Sequence, residues 1–157
     1  MSLLQSILKT FVGDKSERDV KSIQPLIEKI HTFETALAAL SHDELRLKTA
    51  EFKQKIKEAR SEKDTKIEAL KTEAENTIDI DAREDIYASI DMLEQEAYQI
   101  SEKVLNDILP EAFAVIKETA KRFKENTTLT VKATAKDLEL SASKSYITIS
   151  GENAIWA

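Results

Sequence analysis

The sequence predicts a mainly α-helical protein: elongated helices with a long antiparallel coiled-coil-like hairpin, plus a small C-terminal antiparallel β meander (α+β overall). The 157 residues are 41% hydrophobic and 33% charged, which is typical of a helix-rich protein. Apolar residues recur at helical spacing as far as Glu125. Beyond Asn126 the charge density falls and short runs alternate with period 2. We expect three regions, 1–13, 14–125 and 126–157, with the hairpin at about 42–107.

The first predicted element is an amphipathic helix over residues 3–12, which Gly13 and Asp14 are expected to end. Its apolar face could dock on a membrane or a channel, or it could pack on its own domain. The residues alone favour packing, because Lys9 is the only basic residue before Asp14 and surface-seeking helices carry several. The candidate docking residues are Leu3, Leu4, Ile7, Leu8, Lys9 and Phe11.

Two further helices follow. One runs from about Ser16 to Ala39 and contains Pro25, so its main part either begins near Ser22 or kinks at the proline. Ser41 and Glu44 then have the spacing of a capping box, which predicts the start of a long helix.

A heptad pattern marks the second arm of the hairpin. The break at residues 76–81 separates the arms, with Asp81 as the expected N-cap of the second arm. This arm pairs either with the preceding helix, which we favour, or with another chain. Pro110 is expected to open a further helix that ends near Lys124. The heptad positions are Ile86, Ile90, Leu93, Ala97, Ile100 and Val104, and the inward residues of the last helix are Phe113, Ile116, Ala120 and Phe123.

The C-terminal part contains four short runs typical of β-strands, at 129–135, 138–142, 146–150 and 153–156. Turns are expected at 135–137, at 142–144 and around Gly151. The sequence therefore predicts a meander that needs a further layer to cover one of its faces.

Several functional classes are excluded or disfavoured. The chain has no cysteine, which rules out thiolate catalysis and disulfides, and its net charge of −6 argues against nucleic-acid binding. Gly13 and Gly151 are the only glycines, too few for a phosphate-binding loop. His31 and His42 lack the spacing of metal ligands. We therefore predict no catalytic residue, no metal site and no cofactor in this chain.

Three segments resemble the SecA family of bacterial translocase ATPases. They are FVGDKSER at 11–18, LSHDELRLKTAEFKQKI at 40–56, and the segment that ends in LPEAFAVIKETAKR at 104–122. The region 59–101 and the region 126–156 are similar to insertions of one lineage. The family's phosphate loop does not occur, so we expect an N-terminal fragment of a longer protein.

The resemblance implies a function for the whole protein. Members of this family use ATP and Mg²⁺ to move preproteins through the SecYEG channel. They are cytoplasmic, bind the inner membrane peripherally through acidic phospholipid, and can form homodimers. By position, the N-terminal helix would take the docking role and the following helices would brace the motor domain. We expect a scaffolding and docking fragment that is not itself an enzyme. The alternative is a free-standing coiled-coil adaptor or interaction protein.

Overall fold

The structure is a computed structural model that describes the backbone from Leu3 onward and the side chains from Glu17 onward. Long helices and a small antiparallel sheet dominate it, which confirms the predicted fold class. The chain divides into two compact units, Met1–His42 with Phe113–Ala157, and Asp43–Ala112. The elements are α1 (Leu3–Ala38), α2 (His42–Asn76), α3 (Ile80–Glu125), β1 (Leu129–Lys132), α4 (Ala135–Ser141), β2 (Ile147–Ser150) and β3 (Asn153–Trp156).

The first helix is longer than the sequence pattern predicts. α1 continues past Gly13 and Asp14, and Pro25 lies inside it, so the expected helix end and the expected start near Ser22 are both wrong. One glycine costs a helix only about 1 kcal/mol relative to alanine, and a proline about 3 kcal/mol. Packing further along the helix, where Leu37 is buried, offsets such costs. The division into functional regions at residues 13 and 125 stays a prediction.

Within the second unit, α2 and the first part of α3 form the antiparallel hairpin that the heptad pattern favours. Cross-helix ion pairs connect Lys48 to Glu111 at one end and Lys71 to Glu94 towards the other. The predicted heptad positions of α3 lie at its interface with α2. Among the most deeply buried residues of this interface are Ile67 and Ala74 of α2 with Ile90 and Ala97 of α3. The second arm therefore pairs with the preceding helix of the same chain.

The connection between the hairpin arms uses a different cap from the predicted one. α2 ends at Asn76 and α3 begins at Ile80. The Asp79 carboxylate accepts a hydrogen bond from the Ala82 N–H at 3.0 Å, so Asp79 is the N-cap and the prediction of Asp81 is wrong. Asp79 and Asp81 both have a side chain that can cap a helix. Asp79 is the cap because the helix begins directly after it.

The last part of α3 differs from prediction in two ways. Pro110 lies inside α3 and is buried, so the predicted new helix at Pro110 is wrong. The expected inward residues are also wrong, because Phe113, Ile116 and Phe123 are 50%, 65% and 46% exposed. The buried face instead contains Ala114, Val115 and Arg122. This helix has apolar residues on two faces, and periodicity alone does not show which face its own domain covers.

The C-terminal sheet is antiparallel, with strand order β1-β3-β2. The expected strand at 138–142 is wrong, because these residues belong to or directly follow α4, which crosses from β1 to β2. Thr134 and Asp137 form a capping box that starts this helix: each side chain accepts a hydrogen bond from the other residue's backbone N–H. The strand order therefore differs from that of a simple meander.

One face of the sheet forms a small core. Leu129, Val131, Ile147 and Ala154 are all buried, and the strand register places them on one side. Gly151 makes the tight turn between β2 and β3 with φ of 59°, a conformation that the first central position of a type II′ turn requires.

Candidate functional site

The residues predicted to dock on a membrane or channel all belong to α1. Their side chains lie outside the described residues, so the docking role of Leu3, Leu4, Ile7, Leu8, Lys9 and Phe11 stays a prediction.

Arg122 holds the end of α1 in the first unit. Its side chain is buried, and its Nη2 donates hydrogen bonds to the carbonyl oxygens of Leu37 at 3.1 Å and Leu40 at 2.8 Å. The last carbonyl groups of a helix have no partner within it and carry a partial negative charge. A guanidinium at this position therefore satisfies these acceptors and complements the helix dipole.

The same guanidinium also contacts α2 and its own helix. Its Nε donates to the Glu118 carboxylate at 2.8 Å, and its Nη1 lies 3.1 Å from Nδ1 of His42. Arginine has no acceptor, so in this contact the guanidinium is the donor and His42 Nδ1 the acceptor. Arg122 thus binds the end of α1, the first residue of α2 and the body of α3.

A second contact, within the other unit, involves Glu111. Its carboxylate lies 3.1 Å from the Lys48 ammonium group and 3.8 Å from that of Lys55. The carboxylates of Glu51 and Glu111 raise the pKa of Lys48 above its usual value. Glu111 therefore fixes the register of α3 against α2.

A groove of about 470 Å³ lies between α1 and α3 in the first unit. Lys117 on its rim pairs with Glu34, and hydrogen bonds from Lys117 and His31 lower the pKa of Glu34 below its usual value. Three lysines and three glutamates line the groove, so their charges compensate each other. The arrangement supports helix packing and contains no nucleophile with an adjacent base.

The side of α3 that faces away from α1 presents an exposed apolar surface. We call it the Phe113 stripe, made of Phe113, Ile116, Ala120 and Phe123. At about 100° per residue these positions fall within one quadrant of the helix. Arg122 and Ala114 lie on the other side, so this segment of α3 has a packed face and an unpacked apolar face.

Within the part of the chain that the structure describes, no group of three or more His, Cys, Asp or Glu residues could hold a metal ion. No described helix combines the length and the apolar character that crossing a bilayer needs.

The family model of the SecA DEAD-like domain matches residues 8–138 of the chain. The chain belongs to the SecA family. Among its curated relatives, each named protein translocase subunit SecA, that of Flavobacterium psychrophilum is 69% identical over all 157 residues. The relative from Christiangramia forsetii is 58% identical over the same length, and that from Bacteroides fragilis is 42% identical over 95% of the chain. No solved structure matches the chain.

The chain spans 14% of the length of the first two SecA relatives and 13% of the third. Two of the three segments on which the sequence resemblance rests, 40–56 and 104–122, are in contact through Arg122 and Glu111. Leu40 and His42 come from one segment and Arg122 from the other, as do Lys48 and Glu111. These contacts were not predicted from the sequence. No sequence signal marked Arg122 as buried, because the face of α3 that was predicted to be inward is the opposite one.

Proposed function

We propose that this chain is the N-terminal docking and scaffolding part of an ATP-driven preprotein translocase that exports proteins across the inner membrane through the SecYEG channel. Membership of the SecA family supports this assignment. It also disfavours the alternative of a free-standing coiled-coil adaptor. The observation that carries the scaffolding role is the Phe113 stripe.

We expect a partner to cover the exposed Phe113 stripe. Phe113 and Phe123 expose about half of their surface, although Ala114 and Val115 on the other face are buried. A helix with apolar residues on both sides is normally covered on both sides. The SecA relatives are about seven times longer than this chain. We propose that the remainder of such a protein, its motor domain, packs on the stripe.

In this proposal, the part of the protein outside this chain binds ATP and Mg²⁺. The two glycines of this chain, Gly13 and Gly151, are far apart in sequence and provide no phosphate-binding loop. The residues present therefore do not fit the nucleotide or its metal, and we assign them no step of hydrolysis. Their contribution is to hold the end of α1 on α3 through Arg122 within the first unit, and α2 on α3 through Glu111 within the second.

The N-terminal part of α1 supplies the docking role in this proposal. Its apolar residues would contact acidic phospholipid and the SecYEG channel while the protein remains cytoplasmic and peripheral to the membrane. A homodimer and contact with the preprotein also follow from family membership as proposals.

The scaffolding role is tested by association in trans. SecA of Flavobacterium psychrophilum can be produced without the segment that matches this chain and titrated with the 157-residue chain. We expect association, and we expect Phe113→Asp/Phe123→Asp to weaken it by at least about thirtyfold, because two aromatic contacts of hot-spot strength are lost.

Leu47→Asp/Leu138→Asp is the matched control, since both residues are exposed apolar residues outside the stripe. It should associate like the unsubstituted chain. Circular dichroism should show unchanged helix content in both variants. If Phe113→Asp/Phe123→Asp and the control bind the shortened SecA with equal affinity, the Phe113 stripe is not the contact surface.

The docking role is tested by flotation with vesicles that contain anionic phospholipid. Leu4→Asp/Leu8→Asp places two carboxylates on the apolar face of the N-terminal segment and should abolish flotation. Val20→Asp/Ile23→Asp, on the same helix, is the control and should float with the vesicles. Equal flotation of Leu4→Asp/Leu8→Asp and the unsubstituted chain would rule out docking through this face.

A further inference from the structure

A second line of large apolar side chains runs along α3 within the second unit. We call it the Tyr98 stripe, made of Ile80, Tyr87, Tyr98 and Leu105. At about 100° per residue, these positions lie within about 20° of one line on the helix surface. Tyr87 is 51% and Tyr98 is 63% exposed. The line is separate from the α2-facing seam, so the hairpin has an apolar face that α2 does not cover.

Tyr98 borders a groove between the two hairpin arms. The groove has a volume of about 430 Å³, and its other lining residues are Ile67 and five charged residues, Arg60, Asp64, Glu68, Lys71 and Glu94. Two helices packed side by side leave such a groove along their length, and a third helix can occupy it. From Ile80 to Leu105 the stripe covers about 38 Å at a rise of 1.5 Å per residue. A helix of about 20 residues, about 30 Å long, therefore fits within the length of the stripe.

A row of carboxylates follows the stripe. Glu84 and Glu102 are exposed and lie about 40° from Tyr98 around the helix, on the solvent side. Asp91, also exposed, lies only about 20° from Tyr98, on the stripe itself. In the described part of the chain, none of the three forms an ion pair.

Basic groups offset only part of this charge. Lys71 and Arg60 on the groove are each already paired with a carboxylate. Arg83 lies on α3 about 40° from Tyr87. The face therefore combines uncovered apolar surface with net negative charge.

The charge of the whole unit has the same sign. Residues 43–112 contain 19 carboxylate and 11 basic side chains, a net charge of −8. The rest of the chain contains 10 carboxylate and 12 basic side chains and is slightly positive. Electrostatic attraction to the hairpin therefore favours a cationic partner, and it disfavours both an anionic bilayer and a second copy of the same acidic face.

We propose that the Tyr98 stripe and its groove bind an amphipathic α-helix whose apolar row is flanked by lysine or arginine. The apolar row of the partner lies on Tyr87 and Tyr98, and its basic side chains reach Glu84, Asp91 and Glu102. This is helix-in-groove recognition, with charge selecting the partner. The inference concerns the second unit alone and does not depend on the proposed translocase function.

The test uses the full 157-residue chain and three synthetic 20-residue helical peptides. The first has leucine on one face and lysine on both flanks, the second has glutamate in place of lysine, and the third has serine in place of leucine. We expect saturable binding of the lysine peptide in fluorescence anisotropy, at least tenfold weaker binding of the other two, and weaker binding of the lysine peptide as salt rises.

Two variants of the chain locate the site. Tyr87→Ser/Tyr98→Ser should weaken binding of the lysine peptide about thirtyfold, and Glu84→Gln/Asp91→Asn should weaken it about fivefold. The matched charge control is Glu73→Gln/Asp107→Asn, two exposed carboxylates that do not belong to the row. It should bind like the unsubstituted chain. All the substituted side chains are exposed, and circular dichroism checks that the variants remain folded.

Three outcomes would overturn the proposal. The first is equal binding of the lysine and glutamate peptides. The second is loss of binding in the charge control to the same degree as in Glu84→Gln/Asp91→Asn. The third is a stable dimer of the chain in sedimentation that becomes monomeric in Tyr87→Ser/Tyr98→Ser, which would show that a second copy covers the stripe.

Discussion

Arg122 shows how one residue can connect three helices. Four of its hydrogen bonds reach carbonyl groups at the end of α1, the His42 ring and the Glu118 carboxylate. Lysine would keep the charge but could not form the planar fork that serves all of these acceptors. The guanidinium is fully engaged in packing, so it is a structural group and not a ligand-binding group.

Replacement of Arg122 should therefore be costly. Arg122→Ala removes the side-chain donor to the Leu40 carbonyl, one of two donors to the Leu37 carbonyl and the nearer cation of Glu118, and we expect a loss of about 3 kcal/mol in unfolding free energy. Arg122→Lys should lose roughly half as much. Urea unfolding followed by circular dichroism measures both values. Lys121→Ala, at an exposed neighbouring position, should change stability by less than about 0.5 kcal/mol, and a similarly small change in Arg122→Ala would contradict the structural role.

At the scale of elements, the hairpin was predictable and the helix boundaries were not. Ile90 and Ala97 repeat at heptad spacing, and the structure buries them against α2. Pro110 was expected to mark a helix boundary, and Pro25 either a boundary or a kink, yet both lie inside helices. The local cost of a proline is visible in the sequence, whereas the packing that offsets it comes from residues distant in the chain.

The α4 segment shows a second limit of sequence patterns. Leu138–Ala142 has the alternating pattern of a strand. However, Thr134 and Asp137 form a capping box that starts a helix at Ala135. The Asp137 side chain is fully buried and accepts hydrogen bonds from the backbone N–H and the hydroxyl of Thr134. The capping-box spacing was the signal that could have identified this helix.

Removal of the α4 cap should loosen the C-terminal sheet. Asp137→Ala deletes the acceptor for two Thr134 donors, so we expect a loss of about 2 kcal/mol in unfolding free energy. The only tryptophan, Trp156, lies in β3, so its fluorescence reports unfolding of this sheet. Glu139→Ala, an exposed change in the same helix, should leave the transition almost unchanged. If Asp137→Ala and Glu139→Ala have the same unfolding free energy, the capping box does not stabilise the sheet.

For the molecule as a whole, two sequence segments indicated the function, whereas no catalytic or binding site did. Those segments resemble the SecA family, to which the family model assigns the chain, and Arg122 and Glu111 make contacts between them. The direction in which the Phe113 stripe faces was not predictable. Its apolar pattern is equally compatible with packing on α1 or on a surface supplied from outside this chain.

In the function that we propose, this chain supports a motor without binding the motor's nucleotide. Isothermal titration of the 157-residue chain with Mg-ATP is the decisive measurement, with the full-length Flavobacterium psychrophilum relative as the positive control. We expect saturable binding by the full-length protein and no saturable heat from the chain alone. Stoichiometric, micromolar binding of Mg-ATP by the isolated chain would show that the proposed role is wrong.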